Sequence, residues 1–434
     1  MKKNIFSTVT MITAASVVLF SSCKKDDAPV VLQSNTVTIE NVLDSKLIVE
    51  SGTFQGTGTP PLILPGQSAS ITFSASKNQS VTFATMYGWS NDLFFAPANP
   101  GIKLYNADGT PVTGDVSAQI KLWDNGTRVN QAPGASVTHP GTAETTQKAI
   151  KEVSGTDDYA NAYPAASAMM KVSLAYNGNS SFTLTIMNNS ANTIRSTPFS
   201  PGVWAISYVA GGNPLLPAPI YTAGQNTANG LTNIAEAGDI TALNTYISSN
   251  TGIFTPLSPV LVVVYNGSAN PFYQTGENDR GQGLKALAQQ GNADTLAAYL
   301  KTKAGVRSVY VLKDAVNNVL LPKINGAAGG KVSQLLSVAA GDKIAVATMY
   351  GFSNDWFFAT TGSDIAATQK GDVSSLIGLF DDGTAINQYP GAGLTQFNLA
   401  GTPLVESKPI APVPNANGFN TLPAFTSIIK VSLQ

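Results

Sequence analysis

Residues 84–96, ATMYGWSNDLFFA, return as ATMYGFSNDWFFA at residues 347–359. Two more pairs follow in the same order. GDVSAQIKLWDNGTRVNQAPGA (114–135) matches GDVSSLIGLFDDGTAINQYPGA (371–392), and MMKVSL (169–174) matches IIKVSL (428–433). Matches that keep order at a nearly constant offset of about 260 residues mark a duplicated domain, because chance similarity keeps neither order nor spacing. Working outward, short alternating runs rich in β-branched and aromatic residues predict strands at 36–42, 68–73, 80–85, 102–105, 119–123 and 169–175. Pro60-Pro61, Pro65-Gly66 and Ala107-Asp108-Gly109 punctuate them. Many short strands between such turns predict a mainly β chain of antiparallel sandwiches.

The first domain is expected over residues 36–176 and the second over 182–434, joined by the polar linker YNGNSS. The second stretch contains a smaller duplication at 229–247 and 283–300, each copy following an apolar Ser-Pro segment (200–207 and 258–265). Each copy reads as two short helices broken at Gly238-Asp239 or Gly291-Asn292, with Asp239 or Asn292 placed to cap the second helix. An alternative assigns the first copy to the first domain by permutation. The sequence leaves both assignments open.

Charged residues are 12% of the chain, about half the usual share, and the net charge is −1. Phosphate recognition needs clustered Lys and Arg, so nucleic acid is excluded as a partner. Cys23 is the single cysteine, so no disulfide forms within the chain. Lys2 and Lys3, the apolar run 5–20 and Ser21-Ser22 read as a signal peptide over residues 1–22, with an apolar run too short for a membrane span. Leu19-Phe20-Ser21-Ser22-Cys23 resembles a bacterial lipobox, with Phe20 departing from the usual Leu or Val. That resemblance implies lipidation of Cys23, residues 23–35 as a tether, and an outer-membrane protein anchored by lipid. Lys24-Lys25-Asp26-Asp27 resembles the charged tag of lipoproteins exposed at the cell surface.

Ser353-Asn354-Asp355-Trp356-Phe357 and Asp381-Asp382-Gly383-Thr384, with their first-copy counterparts Ser90-Asn91-Asp92-Leu93-Phe94 and Asp124-Asn125-Gly126-Thr127, carry a family resemblance. So do the Gly-Leu segments that run from Gly230 to Gly238 and from Gly283 to Gly291. Together they resemble the spondin N-terminal domain family. The resemblance implies tandem C2-like antiparallel β-sandwiches with short helical insertions, a loop-borne calcium site, and adhesion rather than catalysis. Calcium takes six to eight oxygens from adjacent loops. Its carboxylates would be Asp92 and Asp124 in the first copy and Asp355, Asp381 and Asp382 in the second. Asn91, Asn130, Asn354 and Asn387 could add amide oxygens. The chain departs from the family where its second acid of the later turn falls, at Arg128 and Ala385. A purely structural reading has the same Asp and Asn side chains closing turns through nearby N–H groups.

No enzyme is expected. His139 is the only histidine and no nucleophile motif accompanies it, while Glu236 of the first helical copy is Gln289 in the second. The expected function is that of a surface lipoprotein binding or adhering to extracellular matrix, cell-surface or glycan ligands. The alternative is a glycan-capture accessory of a polysaccharide-uptake system, through Trp89, Trp123, Trp204 or Trp356. Buried anchoring of those tryptophans is the competing structural role.

Overall fold

A computed structural model of the chain describes residues 31–362 and 364–434. The signal peptide, Cys23 and most of the tether lie outside the described residues. The protein is mainly β and consists of two antiparallel sandwiches with short helices.

Each sandwich pairs a four-stranded sheet with a larger one. In the first, the small sheet runs Ser68–Ser74, Ser181–Asn188, Met170–Gly178, Gly114–Asp115. In the second it runs Lys331–Ala339, Leu32–Asn41, Ile429–Leu433, Gly371–Asp372. The orders agree position by position, so Leu32–Asn41 takes the place that Ser181–Asn188 holds in the first sandwich. The large sheets agree likewise. Ile48–Phe54, Phe199–Ser207, Ser80–Tyr87, Leu93–Pro97 and Ile120–Asp124 correspond to Val306–Leu312, Val260–Tyr265, Lys343–Met349, Trp356–Thr360 and Ile377–Asp381.

This arrangement corrects the expected boundaries. The strand at 36–42 is expected in the first domain, yet Leu32–Asn41 pairs with Lys331–Ala339 on one side and Ile429–Leu433 on the other. Residues 32–35, expected in the tether, belong to the same strand. Residues 182–250, expected in the second domain, complete the first: Phe199–Ser207 pairs with Ile48–Phe54 and Ser80–Tyr87. The structure thus follows the permuted alternative. The first sandwich is inserted after the opening strand of the second and begins with its own edge strand. Its two ends meet where the Ile48 N–H donates to the Asn250 carbonyl and the Gly252 N–H to that of Ile48, both at 3.0 Å.

The large sheets are covered on both faces, which explains their unbroken apolar runs. Val260, Val262 and Val264 face the sandwich core, while Leu261, Val263 and Tyr265 face helices Leu284–Gln290 and Asp294–Leu300. Helices Leu231–Ala237 and Thr241–Ser249 cover the first sandwich in the same way, burying Leu231, Ile234, Leu243 and Ile247 against Ala84, Met86, Phe94 and Val203. The helix pairs break where expected. Gly238 and Gly291 adopt φ of 68° and 70°, a conformation glycine enters without a Cβ penalty. Asp239 and Asn292 then accept the N–H groups of Thr241 and Asp294 at 2.9 Å.

Candidate functional site

The repeated Ser-Asn-Asp turn and the repeated Asp-X-Gly-Thr turn meet at one end of each large sheet, beside the first helix of each pair. In the second sandwich, Oδ2 of Asp355 accepts three bonds, from the N–H of Thr384 (2.7 Å), the N–H of Ala385 (2.8 Å) and the Thr384 hydroxyl (3.1 Å). Asp381 accepts the Gly383 N–H and the Asn387 amide. Oδ2 of Asp382 lies 3.0 Å from the same Thr384 hydroxyl, whose single proton the two carboxylates share. These bonds make Asp355 a strut between two loops, as the turn-forming reading requires. They do not use up the oxygens. Oδ1 of Asp355, Oδ1 of Asp382 and Oδ2 of Asp279 are buried with no hydrogen-bond partner.

A buried carboxylate oxygen without a donor is costly unless the group is protonated or meets a cation. Burial first, and Asp381 second, push the Asp355 carboxyl up to about 7. Burial first, and Asp279 second, push Asp382 up to about 8. The second sandwich therefore places the three expected residues Asp355, Asp381 and Asp382 on adjoining turns, with Asp279 near Asp382, close enough to raise one another's carboxyls but, among the described residues, not converging on one point. Sequence reading missed Asp279 because it lies in the irregular stretch ahead of helix Leu284–Gln290, outside the aligned turn motifs. Its signal was its place just before the Gly-Leu helix start.

The first sandwich keeps the strut and changes the surroundings. Oδ2 of Asp92 accepts the N–H groups of Thr127 (2.7 Å) and Arg128 (2.8 Å) and the Thr127 hydroxyl. Asp124 accepts the Gly126 N–H and the Asn130 amide, both at 2.7 Å. Burial, then Asp124, push Asp92 up to about 7, and burial raises Asp124. Where the second copy has Asp382, the first has Asn125; the matching backbone bonds of Gln225 and Glu277 to Ile150 and Ile410 put Thr227 where the second has Asp279. Arg128 donates to Glu236 at 2.7 Å, an ion pair replaced in the second copy by Ala385 and by Gln289, which donates to the Thr384 hydroxyl. The Glu236/Gln289 difference thus follows the Arg128/Ala385 difference and needs no catalytic explanation.

Of the expected amide ligands, Asn91 and Asn354 are committed, accepting the N–H groups of Gln131 and Gln388 at 2.9 and 3.0 Å. Oδ1 of Asn130 is buried without a partner. Among the described residues no three His, Cys, Asp or Glu side chains converge to hold a metal by themselves. A cation at the second site would therefore draw on amide and backbone oxygens as well, a mixed set that suits calcium.

The tryptophans divide clearly. Trp123, Trp204 and Trp356 are buried, whereas Trp89 is 39% exposed. Trp356 packs edge-on against Tyr350 at 5.9 Å between ring centres. Trp356→Ala is expected to lower stability by about 3 kcal/mol through cavity formation. Chemical denaturation read by circular dichroism checks this, and an unchanged midpoint would remove Trp356 from the core. His139 is exposed in a loop.

Comparison of the chain with protein-family models and with curated proteins returns no match.

Proposed function

We propose that the protein is a non-catalytic, surface-anchored binding or adhesion protein whose second sandwich is completed by a calcium ion. The observation that carries the metal reading is the set of buried, unpartnered carboxylate oxygens on Asp355, Asp382 and Asp279. Asp355, Asp381, Asp382 and Asp279, no three of which converge on one point among the described residues, would have to close in with backbone and amide oxygens to hold the ion, which would supply the positive charge the unpartnered oxygens lack. In the first sandwich Oδ1 of Asp92 is likewise buried without a partner, but Asn125 stands for Asp382 and Thr227 for Asp279, so two of the carboxylates are absent, and the Arg128 charge is taken up by Glu236. Calcium is therefore assigned to the second copy rather than to Asp92 and Asp124. The resemblance to spondin domains, the lipobox-like Leu19–Cys23 stretch and the low charge of the chain support the adhesion role. The glycan-capture alternative loses three of its four tryptophans to the cores and retains Trp89.

The test is a melting curve of the protein in chelator and then in millimolar calcium. At 100 times its dissociation constant a bound ion adds about 2.7 kcal/mol to the folded state. The expected result is a rise confined to the second sandwich's transition. No shift would make the acids turn formers and withdraw the metal.

A further inference from the structure

We infer that a polar cavity on the first sandwich binds an acidic sugar, a ring that carries a carboxylate or a sulfate. The inference rests on the reading of the chain as a binding protein and supplies a ligand class for it. The cavity measures about 650 Å³, within the roughly 300–1,000 Å³ of small-molecule sites. It opens where strand Ser80–Tyr87 begins, at the end of the large sheet opposite the acid turns. Its walls are the turn at 77–79, the hairpin at 104–112 and Gln119.

Among the described residues this wall carries two lysines, Lys77 and Lys103, and no Asp or Glu. Some of its polar groups are committed. Gln79 accepts the Ser76 N–H and donates to the Ser207 and Gly391 carbonyls, and the Asn106 amide donates to the Thr110 hydroxyl. Asp108 of the hairpin is off the wall and accepts the Thr110 N–H and hydroxyl at 2.9 and 2.7 Å. Lys77, Asn78, Ser80, Lys103 and Gln119 are left with no side-chain hydrogen bond or ion pair among the described residues.

The second sandwich is the internal control. Gln79 and Asp342 each accept the N–H three residues earlier, from Ser76 and Ala339, at 2.7 Å, which fixes the alignment. Lys77 is then Ala340, Asn78 is Gly341, Lys103 is Ala366 and Gln119 is Leu376. Ser80 is Lys343, whose ammonium is paired with Asp364 and with the Gly267 carbonyl. One wall is missing too. Ten residues separate Lys103 from Gly114, whereas four separate Ala366 from Gly371. The added length is an ordered hairpin, with the Asn106 N–H on the Thr110 carbonyl and the Val112 N–H on the Leu104 carbonyl, both at 2.9 Å. Lys77 lies across it: a Cβ on Gly109 would fall 2.5 Å from its Cε and 2.7 Å from its Nζ. The same sandwich folds without this hairpin and without these side chains, so folding does not require them. Their convergence on one cavity, in one copy only, points to a ligand.

The donors define its chemistry. Two ammonium groups hold an anion through charge-assisted bonds. Asn78, Ser80 and Gln119 both donate and accept, as sugar hydroxyls do. A lone inorganic anion would leave those groups unused in a cavity of this size. An aspartate-rich peptide would meet the lysines but brings no hydroxyls for the amides.

Isothermal titration calorimetry of the full protein tests this with three probes: trigalacturonate, a sulfated chondroitin disaccharide, and neutral galactotriose. Binding of at least one acidic sugar and none of the neutral one is expected, and the probe that responds identifies the anion. Lys77→Ala and Lys103→Ala should each weaken binding about tenfold. The double variant should abolish it at an unchanged melting temperature, since alanine stands at both places in the second sandwich. Binding of neither acidic sugar overturns the inference. Equal binding of tri-aspartate or inorganic sulfate does so as well, because the site would then read charge alone. Acidic-sugar binding that survives the double variant also overturns it, keeping the binding role and moving its site. None of these outcomes touches the calcium result, which reads the other sandwich.

Discussion

A chain that begins at Leu43 is expected to lose the second sandwich and keep the first. Leu32–Asn41 is an interior strand of the second small sheet, hydrogen-bonded to Lys331–Ala339 over nine residue pairs and to Ile429–Leu433 over five. Its Val37 and Ile39 are fully buried in the second core. Removing it strips both neighbours of their ladder and exposes Leu336, Val338, Val431 and Leu433, which pack in the same core. Each such side chain contributes about 1.5–3 kcal/mol, so the six together are comparable to the roughly 5–15 kcal/mol that typically holds a domain together. The first sandwich takes no strand from this segment, and its ends close on each other at Ile48 and Asn250. Calorimetry should show one of two transitions missing from the truncated chain. A truncated protein in which the first sandwich melts and the second survives would refute the strand assignment.

The duplication, the sandwich class, the helix breaks and the acids of the turns were legible because each is local. Alternation identifies a strand, and Gly238-Asp239 identifies a helix end, without reference to anything distant. The domain boundaries were not legible, because an alternating strand such as TVTIENV carries no mark of the sheet it joins. Val37 and Ile39 would suit either core, and the choice is made by partners some 300 and 390 residues away. The same limit applies at the site. Asp355 and Asp381 stand in motifs that repeat, whereas Asp279 reaches the cluster through the packing of Leu284–Gln290 on the sheet. The Arg128–Glu236 pair shows the converse. Each residue looked like a separate departure from the pattern, and only their 2.7 Å contact makes them one substitution.

In chelator, the stability of the second sandwich is expected to fall as pH rises from about 4 to about 8. Asp355 and Asp382 have carboxyls raised to about 7 and about 8 from 3.8, chiefly by burial. Between those values the folded state holds protons that the unfolded chain has released. The contribution is complete below the unfolded value and is lost as pH rises through the folded one. For one such group it is on the order of 4 kcal/mol. Asp92 gives the first sandwich the same sign of slope, so pH alone does not separate the copies. Calcium does, because it binds the deprotonated carboxylates. Its stabilising effect should be small at pH 5, large at pH 8, and confined to the second transition. Asp355→Asn should reduce the slope of the chelator profile of that transition and leave the part due to Asp382, since a neutral amide oxygen can still accept the N–H groups of Thr384 and Ala385. The same substitution should remove most of the calcium response at pH 8. Melting curves at pH 5 and pH 8, with and without calcium, decide the matter. Stability that rises with pH in chelator, or an equal calcium effect at both values, would mean that the unpartnered oxygens of Asp355 and Asp382 are not where the ion binds.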